Sequence, residues 1–108
     1  MKAVVVIAPL ALRQLREAAG WYRDRSQSDD LARDWLDGFL EVLMSLQFDP
    51  ERHPLARESH KFSVEIHEVH YGSGRRKTHR ALFRVQGTAV HVLTVRHIAQ
   101  EDVAPDSM

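Results

Sequence analysis

An α+β fold in the order β-α-α-β-β-β, with a helical hairpin packed on a mainly antiparallel four-stranded sheet, follows from three observations on this 108-residue sequence. A β-branched run opens the chain, two apolar stripes of helical spacing come next, and three alternating segments separated by glycine-bearing turns close it. Helices and strands are grouped rather than interleaved, so the helices should cover one face of a sheet instead of alternating with parallel strands. One core is all that this length supports, and residues 1–108 read as a single domain with residues 99–108 as a short acidic tail.

The run Ala3-Val4-Val5-Val6-Ile7 predicts a first strand, expected to be buried on both faces because it is continuously apolar. Pro9 suits the first turn of a helix, where its missing N–H has no helical partner to lose. Leu12, Leu15, Ala19 and Tyr22 recur on one side of that helix. Ser26-Gln27-Ser28-Asp29-Asp30 breaks the pattern and offers caps for a second helix, whose stripe is Leu31, Trp35, Phe39, Val42 and Leu46, widened by Leu36, Leu40 and Leu43. Asp49-Pro50 is the expected stop. That spacing marks Trp35 and Phe39 as core residues.

Residues 51–61 hold Pro54 and mixed charge and read as a connecting loop. SVEIHEVHY (63–71) alternates as a strand, Gly72-Ser73-Gly74 supplies a turn, THRALFRV (78–85) and AVHVLTVRHI (89–98) alternate again, and Gln86-Gly87-Thr88 turns between them. Period two puts Arg80, Leu82 and Arg84 on one face of their strand and Ala81, Phe83 and Val85 on the other. In the last strand it groups Val90, Val92, Thr94 and Arg96 against His91, Leu93, Val95 and His97.

The zero net charge conceals segregation. Residues 57–98 carry eight Lys/Arg against three Asp/Glu and six of the seven histidines, while residues 99–108 carry three acids and no base. A basic half-domain favours an anionic partner, nucleic acid or an acidic protein segment. Arg75, Arg76, Lys77, Arg80, Leu82, Arg84 and Arg96 are therefore candidate target- or partner-binding residues, with Leu82 expected to be exposed. A cross-strand ion pair from Arg80 to Glu65 or Glu68 is the structural counterpart of that reading.

Several chemistries are disfavoured. Cysteine is absent, which removes disulfides and thiolate chemistry and fits a cytoplasmic setting. His67 and His70 have an odd offset on a strand and so face opposite ways, which leaves no metal site expected. Gly72 and Gly74 precede a strand instead of opening a helix, so no nucleotide cofactor is expected either. The opening apolar run is broken by Pro9, shows no small-x-small cleavage site and falls well short of the roughly 20 residues that span a bilayer.

Three passages, APLALRQLREAAGWY, LMSLQFDPERHPL and above all HRALFRVQGTAVHVLTVRHI, resemble the RelE/ParE superfamily of type II toxin–antitoxin toxins, with the last closest to ParE-type plasmid-stabilisation toxins. The resemblance covers nearly the whole chain. It implies a growth-inhibiting toxin held by a cognate antitoxin, and two targets: DNA gyrase for the ParE branch, or ribosome-bound mRNA cut without metal for the RelE branch. Carried over, Arg80 matches the strand-opening arginine of both branches, and Arg80, Arg96 and His97 would be the catalytic set if the chain were a ribonuclease. RNA cleavage by 2′-hydroxyl attack needs a base, an acid and cations around the phosphate. Ile98 stands where the RelE type has an arginine, and the tail has neither tyrosine nor histidine, so the resemblance points to a ParE-like gyrase inhibitor ahead of a ribonuclease. An inactive relative retained only for binding is the remaining expectation.

Overall fold

Local capping explains where the helices begin and end. In the computed structural model, which describes residues 2–72 and 74–108, Pro9 opens α1 (Pro9–Ser26) behind the extended Ala8. Gln27 closes it in the left-handed region at φ 57°, its N–H donating to the Arg23 carbonyl, with Arg23 and Arg25 in the last turn favourably placed for the helix dipole. Ser28 caps α2 (Asp29–Met44): its Oγ accepts the Leu31 N–H at 3.2 Å, and Asp29 and Asp30 fill the first turn. The helix ends before the expected Asp49-Pro50 stop. Ser45 Oγ donates back to the Val42 carbonyl at 2.6 Å, and residues 45–47 tighten into a 3-10 turn.

Four strands form one sheet: β1 (Val4–Ile7), β2 (His67–Tyr71), β3 (His79–Gln86) and β4 (Ala89–His97), in the spatial order β1-β4-β3-β2. β1 runs parallel to β4, while β2–β3 and β3–β4 are antiparallel. Gly87, at φ 59°, makes the β3–β4 turn, a conformation that L side chains resist. Ser73, in the expected β2–β3 turn, lies outside the described residues. β2 begins at His67 instead of residue 63, because the preceding segment is engaged by the loop: Ala56 N–H donates to Ile66 O at 2.8 Å and Ser59 Oγ accepts the Ile66 N–H at 2.9 Å.

Both helices pack on one face. Ala11 and Leu15 from α1 and Trp35, Phe39 and Leu43 from α2 meet Val69, Ala81, Phe83, Val90, Val92 and Val95. Burial of a side chain such as Phe39 or Phe83 is worth about 1.5–3 kcal/mol relative to exposure. The Tyr71 hydroxyl donates to the Trp35 carbonyl at 2.8 Å and so ties β2 to α2. Gly38 makes that contact possible, since a Cβ there would collide with the hydroxyl.

Two expectations about the strands are corrected. β1 is not buried on both faces: it is an edge strand covered by helices on one side, so Val5 and Ile7 pack into the core while Val4 is 62% and Val6 42% exposed. In β4 the strict alternation fails. The register slips between Leu82, opposite Thr94, and Phe83, opposite Val92, so that a bulge leaves Leu93 without a direct partner. Past the bulge the parity reverses: Val90, Val92 and Val95 all join the helix-side core, and Arg96 lies opposite Arg80 on the other face.

Candidate functional site

The face of the sheet turned away from the helices collects the polar chemistry. Cross-strand pairs place His70, Arg80 and Arg96 in one row, Glu68 and Leu82 in the next, and Arg84 with His91 further along. Like charges directly opposite each other, as at Arg80 and Arg96, are unfavourable unless one is neutralised. Arg80 is. Only 2% exposed, it donates from Nη1 to Glu58 Oε1 at 2.8 Å and to Glu68 Oε2 at 3.0 Å, and from Nη2 to Glu58 Oε2 in a very short contact. Of the two expected partners, Glu68 is one; Glu65 is not, and Glu58 from the preceding loop takes its place.

Glu58 is itself fully buried. Burial works to raise its pKa, but the bidentate Arg80 and the Val103 N–H, donating to Oε2 at 2.9 Å, outweigh it and hold the carboxyl down to about 2. The same carboxylate raises the pKa of Arg80, with burial opposing and Glu68 assisting. The cluster thus bridges four segments: β2 at Glu68, β3, the loop at Glu58, and the chain after β4 at Val103.

Leu82 is the second correction at this face. Expected to be exposed for partner binding, it is fully buried, enclosed by Ala56, Ile66 and Val103 with Phe62 and Leu93 alongside. The acidic tail brings this about, because Val103 is wholly buried and Asp102 pairs with Arg57 at 2.5 Å and Lys61 at 3.8 Å. Sequence reasoning missed Glu58 and Val103. Neither carries a motif, and the one usable signal was a buried-type arginine that needed more carboxylate than its own sheet supplies.

The remaining candidates take no part in the cluster's ion pairs. Arg84 and Arg96 are half-buried, form no ion pair among the described residues, and each has an Nε without a partner. Arg75, Arg76 and Lys77 are exposed on the β2–β3 loop, which closes where the Thr78 N–H donates to Tyr71 O at 3.0 Å. The loop backs tightly onto Gly72, where a Cβ would collide with the Arg76 carbonyl. These three cations also form no ion pair among the described residues, which leaves their charge available to a partner.

His97 emerges at the end of β4, on the helix side, with its ring centroid 5.2 Å from that of His79. The register pairs Arg96 with Arg80 but sends His97 to the opposite face, so the three residues of the expected catalytic set do not converge. His97 Nδ1 accepts the Ala99 N–H at 3.0 Å, which places the proton of the neutral ring on Nε2 and makes that nitrogen a donor. His79 packs edge-on against Trp35, and burial, aided by His97, lowers its pKa to about 4. Among the described residues there is no group of three or more His, Asp or Glu side chains that could hold a metal ion, and no helix long and apolar enough to cross a membrane.

A family model described as the ParE toxin of the type II toxin–antitoxin system parDE matches residues 5–101. The chain belongs to the ParE toxin family. No curated protein matches it. Among solved structures it is similar to a chain of the "Chromosomal ParDE TA system from P. aeruginosa", with a TM-score of 0.70 over 90% of this chain and 97% of that chain at 16% identity. At that identity the likeness speaks for the fold, and it is the expected one: two helices on a four-stranded mixed sheet. Within this ParE fold the arginine that opens β3 is locked in a buried carboxylate cluster, and the exposed cations stand on the loop before it.

Proposed function

We propose that this ParE-family toxin acts as a non-enzymatic inhibitor of DNA gyrase, with the exposed Arg75-Arg76-Lys77 loop together with Arg84 and Arg96 on the sheet as its binding cations, and that a cognate antitoxin holds it inactive in the cytoplasm. The observation that carries this reading is the state of Arg80. An arginine that clamps a scissile phosphate must present its guanidinium to the substrate, whereas this one is 2% exposed with both Nη atoms engaged by Glu58 and Glu68. His97 and Ile98 add to it: His97 faces away from Arg80, and Ile98 holds the position of a ribonuclease arginine.

One observation favours the ribonuclease reading instead. Among the described residues Arg84 and Arg96, on the sheet face where His91 is half-buried, form no ion pair, and such guanidinium groups suit a phosphodiester backbone. Purified chain added to gyrase and relaxed plasmid distinguishes the two. Loss of supercoiling with accumulation of cleaved DNA–gyrase complexes is the expected result, and cleavage of ribosome-bound message with gyrase unaffected would overturn it.

A further inference from the structure

Beneath α1, on the face of the sheet opposite the Glu58 cluster, lies a cavity of about 290 Å³ that the toxin reading leaves unused. Its polar lining is oriented by the backbone. Gln14 Oε1 accepts the Val95 N–H at 2.7 Å and the Thr94 hydroxyl at 3.0 Å, which fixes the amide and leaves its NH2 group without a partner among the described residues. Gln100 Oε1 accepts the His97 N–H at 2.7 Å, with the same consequence for its own NH2. His97 Nδ1 accepts the Ala99 N–H, so its Nε2 carries a proton. Two amides and an imidazole that line one cavity are thereby all turned into donors. A metal ion is excluded by the same bonding, since metal on His97 Nε2 would require a proton on the Nδ1 that already faces an N–H.

Glu17 is the anionic side chain in the lining, and it sits at the exposed rim with Arg13 at 3.8 Å offsetting its charge. We propose that this cavity binds a carboxylate group, held by the NH2 groups of Gln14 and Gln100 and by His97 Nε2–H. The carboxylate comes either from a free small acid or from an acidic side chain of a polypeptide, and two probes separate those sources. The site lies on the helix side of the sheet and is lined by none of Arg75, Arg76 and Lys77, so it stands or falls independently of the gyrase reading.

The test exploits the bonding itself. Gln14→Glu and Gln100→Glu each keep the oxygen that accepts from the backbone and replace the outward NH2 with a second oxygen. Sodium acetate titrated into the full chain, followed by the side-chain amide and His97 imidazole signals in NMR, should shift all three groups. Each Glu variant should weaken binding at least about tenfold, and Glu17→Gln should tighten it by about threefold, the scale set by one charge-assisted hydrogen bond in the first case and by one charge repulsion in the second. An acetylated glutamate amide that binds more tightly than acetate supports a polypeptide source, and equal affinities support a free acid. Acetate binding unchanged in both well-folded Glu variants, or signals that stay still in the wild type, would overturn the proposal.

Discussion

The two faces of the sheet are built on opposite principles. On the helix side, α1 and α2 bury an almost wholly apolar surface in which Phe39 and Phe83 are fully enclosed, and the fold is held by area. On the other side, only the half near β2 is covered, by the loop around Ala56 and by Val103, and what lies beneath is a charged cluster ringed by a small apolar patch. The half near β1 stays open, with Val4 and Val6 at the surface. One face therefore tolerates conservative change in volume, whereas the covered half of the other depends on Arg80 keeping its carboxylate partners.

Disrupting each face in turn sharpens the contrast. Phe83→Ala on the helix side should cost about 3–5 kcal/mol, read from the denaturant midpoint, because it removes a fully buried ring and leaves a cavity. Glu58→Gln should cost about 3 kcal/mol, the low end for removal of one partner from a buried ion pair, since Glu68 still meets Arg80. That variant should also free Val103 and with it the tail, seen as faster amide exchange over residues 99–108. Gly38→Ala should follow at about 1–3 kcal/mol, through collision with the Tyr71 hydroxyl and loss of its bond to Trp35.

Acid should act on the two faces in sequence. His79 has a folded pKa near 4 against an ordinary 6.5, so the unfolded chain takes up its proton first and stability declines as pH falls from 6.5 toward 4. Glu58, at about 2 against 4.5, contributes stability that is complete above 4.5 and lost as pH falls toward 2. Chemical denaturation across pH should show both windows, with His79→Phe shrinking the upper, to which His53, its pKa also lowered by burial, adds a part, and Glu58→Gln removing the lower.

How far the sequence foretold each face follows from the same contrast. The helix-side core was legible because helical spacing and caps are local: Ser28, Pro9 and the stripe from Trp35 through Leu46 all do what their positions imply. The open face was legible only in part. Alternation in β3 correctly grouped Arg80, Leu82 and Arg84, but nothing in AVHVLTVRHI betrays a bulge, since both of its faces are apolar and a one-residue slip leaves the pattern intact. Glu58 lies 22 residues before Arg80, and Val103 lies 45 residues beyond Glu58. Pairings closed over such separations have no periodic signature, so an arginine that reads as a functional cation turned out to be the anchor of the loop and the tail.

The Arg75-Arg76-Lys77 loop gives the smallest stability effect and the largest functional one. Replacement of all three by alanine should move stability by less than about 0.5 kcal/mol, because they are exposed and form no ion pair among the described residues. On the proposed reading the same variant loses gyrase inhibition.

The central claim is that Arg80 serves the fold and not the chemistry. A chain carrying Arg80→Met, Glu58→Met and Glu68→Gln together removes the whole charged cluster, and a buried ion pair replaced by apolar groups of similar volume is often neutral for stability. Inhibition of gyrase supercoiling by that folded variant should equal that of the wild type. A variant that folds with native stability yet no longer inhibits would contradict the account and return Arg80 to the functional surface.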